Sequence, residues 1–306
     1  MGKMQKKNAV QTIIGDIYDD EIDGKCISFV KNLNELHIVE HFNNNTMNGM
    51  VYKAIKKDKK YGTFMLVEDN TQYGPSLEFE YEDYTGFKNL DEYGNGYLIT
   101  VDYATGGYMI TEIIANQDIA RGLQFFDGDL NHVVINENGN IIQASKLIHL
   151  GDDYKFTTCR MFSMDFDSER SCRVSEGYDE FGSNESIYQT LTPTNPKPWG
   201  YGYTEWSDDS FYMGEYYEGY RCGMGFQQFE NGDRYMGKYY EGKISGNGMY
   251  INSDCILFGN WKQGKKQGVM FEIYANMVII SRYDRDRLIG KQYQFVMGEM
   301  NIGEID

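Results

Sequence analysis

The 306-residue sequence is poor in proline and cysteine, and it has no long apolar segment. The five cysteines (Cys26, Cys159, Cys172, Cys222 and Cys255) follow no regular spacing, which argues against a disulfide framework and against a zinc site. No apolar run approaches the roughly 18 residues that a membrane span needs. Because no apolar stretch follows the basic first residues either, we expect no signal peptide and a cytoplasmic protein.

Positive charge is also scarce. The chain has 29 Lys and Arg against 46 Asp and Glu, and its formal net charge is −17. Nucleic acids and anionic membranes attract surfaces that carry an excess of Lys and Arg. We therefore expect no nucleic-acid partner, and we rank a membrane lipid below a protein as the partner.

Motifs for catalysis are missing as well. The sequence has no G-x-S-x-G elbow, no phosphate-binding Gly-Lys-Ser/Thr loop and no H-E-x-x-H pair. The spacing of His37, Glu40 and His41 resembles that of a metal site. Because no further ligand lies nearby in the sequence, a solvated or partly buried pair of histidines is the better interpretation. His132 and His149 have no nucleophile motif around them. We expect a non-enzymatic protein with no catalytic residue, no metal and no cofactor.

Glycine and tyrosine, by contrast, are abundant, with 34 Gly and 26 Tyr. One sequence motif rich in these two residues occurs three times, as YMGEYYEGYRCGMG from Tyr212, YMGKYYEGKISGNG from Tyr235 and LFGNWKQGKKQGVM from Leu257. The copies follow one another after 23 and then 22 residues. A fixed period of this length indicates a repeat architecture.

Each copy has the length of one β-hairpin. Asn231-Gly232 follows the return strand of the first copy, and Asn-Gly is a strong signal for a hairpin turn with positive φ at both residues. Glycine inside a strand marks a close approach to the backbone. We predict that an aromatic ring from the neighbouring hairpin rests where a Cβ would otherwise lie. The fold predicted is all-β, an elongated single-layer antiparallel sheet of stacked β-hairpin repeats.

These residues resemble the MORN (membrane occupation and recognition nexus) repeat, with the pattern Tyr-x-Gly-x-(Trp/Tyr)-x-x-Gly-x-x-x-Gly-x-Gly. The residues that fit are Gly214, Tyr216, Gly219, Gly223 and Gly225; Gly237, Tyr239, Gly242, Gly246 and Gly248; and Gly259, Trp261, Gly264 and Gly268. Met270 departs from the pattern, because it stands where the last Gly of the third copy belongs. The resemblance implies scaffolding and oligomerisation, and more weakly contact with membranes.

Outside these copies, glycines that precede alternating strand-like segments recur less regularly. We predict repeats of about 22–29 residues, degenerate in the N-terminal half. A separate all-β domain in that half is the alternative. The predicted divisions are a flexible start at 1–12, degenerate hairpins at 13–190, a Pro-rich loop at 191–199, regular repeats at 200–295, and a C-terminal cap or tail at 296–306.

Two groups of residues are candidate binding sites. The first is an aromatic ladder, which forms either the core of the sheet by ring stacking or a groove for a protein partner. Its members are Tyr201, Trp206, Tyr216, Tyr239 and Trp261. The second is a basic cluster, which is either a solvated edge or a site for anionic headgroups or an acidic peptide. Its members are Lys262, Lys265, Lys266, Arg282, Arg285 and Arg287.

The sequence thus predicts a non-catalytic scaffold that binds a protein partner along the aromatic groove. Self-association into a homodimer is a further expectation, because an open array exposes strand edges. The alternative function is an anionic phospholipid (phosphoinositide) module that uses the basic cluster.

Overall fold

The computed structural model describes residues 3–7, 11–18, 21–30, 35–43, 46–56, 60–68, 71–80, 84–115, 119–136, 141–150, 156–159, 161–162, 169–170, 173–177, 186–190, 200–206, 208–275, 277–290, 292–296 and 302–305. Every regular element in these ranges is a β-strand. The chain divides into two compact units, Met1–Ala104 and Thr105–Asp306.

The first unit consists of strands that pair with their neighbours in chain order, all antiparallel. Its strands are β1 (Lys3–Lys7), β2 (Gln11–Tyr18), β3 (Glu21–Val30), β4 (Glu35–Asn43), β5 (Thr46–Lys56), β6 (Lys60–Glu68), β7 (Thr71–Glu80), β8 (Tyr84–Leu90) and β9 (Gly96–Asp102). β1 lies in the segment that the sequence assigns to a flexible start.

One apolar row crosses the first unit from β2 to β9. Cross-strand partners lie on the same face of a sheet, so the register places these residues side by side. The row is Ile14, Ile27, Ile38, Tyr52, Phe64, Leu77, Phe87 and Ile99. From Tyr52 onwards its side chains are buried, and the ring centroids of Tyr52 and Phe64 lie 4.8 Å apart.

The second unit begins with five strands that pair in chain order and a short two-stranded ladder. These are β10 (Gly107–Ile113), β11 (Ile119–Phe126), β12 (Asp129–Asn136), β13 (Ile141–Leu150) and β14 (Phe156–Cys159), with β15 (Met161–Phe162) and β16 (Glu169–Arg170) as the ladder.

The rest of the second unit is a 13-stranded antiparallel sheet, in which β27 pairs with β26 off the main path. Its strands are β17 (Arg173–Gly177), β18 (Ser186–Thr190), β19 (Gly200–Glu205), β20 (Phe211–Tyr217), β21 (Tyr220–Gln228), β22 (Arg234–Tyr240), β23 (Lys243–Ile251), β24 (Ile256–Lys262), β25 (Lys265–Ile273), β26 (Met277–Asp284), β27 (Arg287–Leu288), β28 (Gln292–Val296) and β29 (Ile302–Ile305). The predicted Pro-rich loop 191–199 lies outside the described residues. The all-β prediction of consecutive hairpins is confirmed.

One face of this sheet carries a second apolar row. It comprises Met213, Phe226, Met236, Met249, Phe258, Phe271 and Ile280, all buried. The ring of Phe125 on β11 stacks on Phe226 with centroids 4.0 Å apart, and Arg234 donates a hydrogen bond of 3.1 Å to the Tyr108 hydroxyl on β10. Strands β10 and β11 therefore form a second layer at this point, which the single-layer prediction did not include.

The opposite face, here called the tyrosine face, carries Tyr212, Tyr216, Tyr235 and Tyr239. A row of glycines crosses it on six adjacent strands, and the register pairs each glycine with the next. The row is Gly202, Gly214, Gly225, Gly237, Gly248 and Gly259. Rows of this kind leave a trough in the sheet surface that a ring can occupy.

The rings of Tyr212 and Tyr235 fill this trough. A Cβ on Gly214 would lie 2.5 Å from the Tyr212 hydroxyl oxygen, and one on Gly237 would meet the Tyr235 ring. The Tyr212 hydroxyl donates to the backbone carbonyl of Glu215 at 3.0 Å. The predicted close approach of rings to glycine is confirmed, with one correction. Each ring comes from the same hairpin as its two glycines, because the side chain leans along its own strand rather than across to the next hairpin.

The turn prediction at Asn231-Gly232 is wrong in its geometry. Gly232 has a φ of 82°, but Asn231 does not have a positive φ, and Gly232 N–H donates to the Phe229 carbonyl at 2.9 Å. The connection is therefore a longer loop that ends in a left-handed glycine. Turns with positive φ at both residues lie instead inside the copies, as at Glu218-Gly219 with φ of 49° and 94°.

Candidate functional site

A groove with a volume of about 760 Å³ lies on the tyrosine face. Cavities of this size accommodate a small ligand or part of a peptide. Its lining residues are Trp206, Asp208, Ser210, Arg221, Gln227, Phe229, Glu230, Asn231, Tyr239, Gly242, Lys243, Ile244, Tyr250 and Gly264. One end lies at the loops between copies, and the other lies at the short turns inside copies. On β23, Tyr250 lies at the loop end and Ile244 lies at the turn end. The two residues are about 20 Å apart at roughly 3.3 Å per residue.

Arg221 forms part of the floor of the groove. Its side chain is 6% exposed, and its guanidinium donates to the Gln227 side-chain oxygen at 2.6 Å and to the Gly242 carbonyl at 2.8 Å. The guanidinium carbon also lies 5.4–5.7 Å from the ring centroids of Trp206, Tyr212 and Tyr239. A buried cation is stabilised by such ring faces and carbonyl oxygens, so Arg221 is held in one position.

The three copies differ at the positions equivalent to Arg221 and Gln227. The pairs are Arg221 with Gln227, Ile244 with Tyr250, and Lys266 with Glu272. In the third copy the Lys266 ammonium contacts the Glu272 carboxylate at 3.1 Å and lies 4.8 Å from the Tyr283 ring centroid. Two of the copies thus place a cation over the aromatic ring of the following hairpin.

Aromatic side chains form the walls at the loop end. Trp206, Phe229 and Tyr250 are all partly buried, and the Phe229 and Tyr250 ring centroids lie 5.7 Å apart. The Tyr250 hydroxyl donates to the Asp233 carboxylate at 2.6 Å. Burial and this carboxylate raise the pKa of Tyr250, so its hydroxyl stays protonated and fixes the ring.

The charged side chains of the lining are separated along the groove. Asp208 and Glu230 are exposed at the loop end, and Lys243 is exposed at the turn end. The Arg221 guanidinium lies between them, since it contacts both the Gly242 carbonyl and the Trp206 ring. Ser210 donates both its hydroxyl and its backbone N–H to the Asp208 carboxylate. These bonds lower the pKa of Asp208, so it remains ionised.

The predicted aromatic ladder is largely packed inside the sheet. Tyr216, Tyr239 and Trp261 are 5%, 3% and 6% exposed, and Tyr239 and Trp261 meet Tyr235 edge-on at 5.4 and 5.5 Å. Of the ladder, Tyr239 and Trp206 line the groove. The side chain of Tyr201 lies outside the described residues. The rings therefore build the floor and one wall, and Phe229 and Tyr250 supply surface that sequence reasoning missed.

The structure divides the predicted basic cluster between two faces. Lys266 pairs in register with Trp261 and lies on the tyrosine face, whereas Lys262 and Lys265 form the next pair, on the other face. Arg282 and Arg287 are exposed on that second face, and Arg285 occupies the turn. Sequence spacing alone did not separate them, because the face that each cation shares with the others depends on which residues of neighbouring strands pair.

Sequence reasoning also missed Arg221. The signal available was its equivalence to Lys266 in the third copy, since both follow the short turn by two residues. Its backbone carbonyl accepts from the Gly242 N–H at 3.0 Å, and the Lys266 carbonyl accepts from the Asp286 N–H at 3.0 Å. The repeat thus reuses one position to attach each hairpin turn to the strand before it.

Within the described ranges, no group of His, Cys, Asp or Glu side chains is arranged to hold a metal ion. The side chains of His37, Glu40 and His41 are not among those described. Burial raises the pKa of the Cys26 and Cys222 thiols to about 12, so neither is a reactive thiolate. The part of the chain that the structure describes has no helix long and apolar enough to cross a membrane.

Comparison with protein-family models gives no match for this chain, and comparison with curated proteins gives none either. The resemblance to the MORN repeat therefore rests on the residues of the repeated sequence motif.

Proposed function

We propose that the protein is a non-catalytic repeat scaffold of the MORN type whose groove binds a segment of a protein partner. The observation that supports this most directly is the groove itself, about 760 Å³ in volume and lined by Trp206, Phe229, Tyr239 and Tyr250. Aromatic side chains with a single anchored Arg are typical of interface hot spots.

Rigidity supports the same proposal. The rings that form the floor are buried in the sheet, and Arg221 is held by two hydrogen bonds and three rings. A surface of this kind loses little conformational entropy when a partner binds.

Selection from a displayed library of random twelve-residue peptides on the immobilised full chain tests this proposal. We expect enriched peptides whose affinity falls about tenfold or more in Phe229→Ala and Tyr250→Ala, since hot-spot truncation costs at least this much. Tyr240→Ala is the matched control, because Tyr240 is 59% exposed and does not line the groove. Peptides that bind all three variants equally well would contradict the proposal.

Association of two copies belongs to the same proposal. Among the described residues, β17 and β29 are the terminal strands of the 13-stranded sheet, and terminal strands can pair through their backbone groups with another copy. Light scattering after gel filtration is expected to give the mass of a dimer. A monomer mass at all concentrations would contradict the association of two copies.

Exposure of four cations on one face supports a second candidate function, the binding of anionic phospholipid. Lys262, Lys265, Arg282 and Arg287 are all exposed there. Vesicles that contain an anionic phospholipid would then bind in low salt, and Lys262→Gln with Lys265→Gln would weaken binding. Peptide binding in the groove, in contrast, is expected to survive moderate salt.

A further inference from the structure

We propose that the groove binds a proline-rich segment of the partner in the polyproline II conformation. Two prolines three residues apart would lie on the rings of Trp206 and Phe229, and a basic residue would lie beside the loops that carry these rings. This inference rests on the proposed function, and it adds the conformation and the chemistry of the bound segment. It is carried by the spacing of the two rings and by the charge of the loops.

Trp206 and Phe229 occupy the same position in two successive loops between hairpins. In both loops the N–H of the ring residue donates to the carbonyl four residues later, at 2.9 Å. Its own carbonyl accepts from the N–H three residues later, at 3.1 Å for Trp206 and 2.9 Å for Phe229. Both rings pack against the buried cluster of the tyrosine face. The two loops therefore have the same conformation, and each presents one ring at its start.

Each of the two rings is held by a neighbour and is itself only partly buried. The Arg221 guanidinium carbon lies 5.7 Å from the Trp206 ring centroid, and the Tyr250 ring centroid lies 5.7 Å from that of Phe229. A ligand would therefore meet two rings whose positions are already fixed, so that little side-chain entropy is lost on binding.

The interval between the two rings favours one peptide conformation. Equivalent positions of successive hairpins are separated by two strand spacings, which is about 9.6 Å. A polyproline II helix has three residues per turn and rises about 3.1 Å per residue, so residues three apart lie about 9.3 Å apart on one side. Alternate residues on one side of an extended strand lie about 6.7 Å apart, and the turns of an α-helix are about 5.4 Å apart. Polyproline II therefore matches the two rings best.

Proline is the residue that best suits this surface. Its ring fixes φ at about −65°, so a proline-rich segment already has the polyproline II conformation before it binds. Aromatic-lined grooves are a common docking surface for segments with prolines three residues apart.

The row of rings ends at the next loop. Asn252 stands at the equivalent position there, and its N–H donates to the Cys255 carbonyl at 3.1 Å, so this loop is one residue shorter. The surface therefore fits one pair of prolines and not a longer series in this direction.

The two loops that carry the rings are acidic. Residues 206–210 and 229–233 include no Lys or Arg and four carboxylates, namely Asp208, Asp209, Glu230 and Asp233. The first three of these are exposed. The buried guanidinium of Arg221 lies near Trp206 and offsets one of the four negative charges, so the loops stay negative. Lys or Arg beside the prolines is therefore favoured over Asp or Glu.

A segment of a separate partner is the occupant that this chemistry favours. The chain itself has prolines three residues apart, Pro193 and Pro196, followed by Lys197, so a second copy would bring similar residues. Its net charge of −17 would add an overall repulsion that a neutral or basic partner lacks.

Four fluorescent synthetic peptides of equal length, titrated with the full chain, test the inference by anisotropy. The first has two prolines three residues apart and a lysine at each end, with alanine elsewhere. The second and third have the same composition, but their prolines are two or four residues apart. The fourth has glutamate in place of both lysines. We expect the first to bind about tenfold more tightly than each of the others, because it alone places a proline on each ring and a cation beside the loops.

Variants of the protein assign each part of the peptide to one part of the groove. In Phe229→Ala the first three peptides should bind equally, because one ring remains and the spacing of the prolines no longer matters. Glu230→Lys should remove most of the preference for lysine over glutamate and leave the preference for the three-residue spacing. Asp254→Lys is the matched control, since Asp254 is exposed on the next loop and does not line the groove. It should change neither preference.

Phe229→Asn offers a second change at the ring, should Phe229→Ala lower the unfolding temperature, because the next loop has Asn252 at this position. If the library yields groove-dependent peptides but the first three synthetic peptides bind wild type equally, the inference is overturned and the proposed function stays intact. A dimer that both Phe229→Ala and Pro193→Ala with Pro196→Ala dissociate would overturn it in favour of a second copy. Absence of groove-dependent peptides from the library would instead contradict the proposed function.

Discussion

The two units build one face of their sheets alike and the other face differently. Both have an apolar row across consecutive strands, from Ile14 to Ile99 in the first unit and from Met213 to Ile280 in the second. On its other face the first unit packs side chains of ordinary size, such as Cys26 and Val51. The second unit places tyrosine rings on a row of glycines there.

This difference accounts for the regularity of the sequence. A ring that lies on two glycines constrains three positions of a hairpin together, so a change at one of these positions requires a change at another. Side chains that merely pack against one another can exchange size with their neighbours. The copies of the repeated motif therefore match one another closely in residues 212–268, whereas those of the first unit match only weakly.

The third copy shows that the requirement is for a filled trough and not for tyrosine itself. Leu257 stands where Tyr212 and Tyr235 stand in the other copies, and Met270 stands where they have glycine. The Met270 sulfur occupies the space that a Cβ on Gly259 would need. A smaller side chain on one strand is compensated by a larger one on the partner strand.

Met270→Gly is expected to have the largest effect. Met270 is fully buried, so its removal should lower the free energy of unfolding by about 3–5 kcal/mol. Leu257→Tyr added to Met270→Gly would restore the arrangement of the other copies and recover much of the loss. Denaturant unfolding of both single variants and the double variant measures the coupling. Strictly additive losses would show that the two arrangements are not equivalent.

Gly225→Ala tests the trough in the first copy. The added methyl group would meet the ring of Tyr212, so the free energy of unfolding should fall by about 1–3 kcal/mol. Gly232→Ala is the control, because it has a positive φ but open space around it, and should cost about 1 kcal/mol. Thermal unfolding compares the two variants. Equal losses of unfolding free energy would contradict the conclusion that the Tyr212 ring leaves no room for a Cβ at Gly225.

Glu272→Gln sharpens the comparison between copies at the cation. It gives Lys266 the neutral partner that Arg221 already has, and should cost about 1 kcal/mol of unfolding free energy. The loss should shrink in high salt, because the Lys266 side chain is 28% exposed and the pair is partly screened. Unfolding in low and high salt checks this, and a loss that salt does not change would argue against a charge effect.

Glu215→Gln changes the side chain that lies beside Gly223. The residue equivalent to Glu215 in the next copy is Lys238. Burial raises the pKa of Glu215, despite the hydrogen bond from the Met224 N–H at 2.9 Å. Because the folded pKa lies above the unfolded one, ionisation destabilises the fold as the pH rises through that interval. The variant should therefore gain stability relative to wild type as the pH rises above the ordinary pKa range of a glutamate. A difference that does not change with pH would contradict the assignment.

Much of the fold could be predicted from the sequence. The period of Gly214, Gly237 and Gly259 indicated hairpins, and glycine within strands indicated close approach of rings. The groove could be predicted only in part. Trp206 and Tyr239 were anticipated as binding residues, whereas Arg221, Phe229 and Tyr250 were not. The equivalence of Arg221 to Lys266 was the one signal available, and nothing in the pattern distinguishes Phe229 and Tyr250 from solvated residues.

The sequence by itself therefore determined the repeating hairpin, the all-β class and the positions where a backbone must be approached closely, since these depend on residues near one another in the chain. The tertiary structure decided which ring covers which glycine, that Tyr216 and Trp261 are packed inside, and that Lys266 and Lys262 lie on opposite faces. The physical reason is the register between strands. The bulge of each hairpin shifts the pairing by two residues, which keeps every side chain on its face but changes its neighbour on the partner strand, and only the paired sheet fixes where that shift occurs.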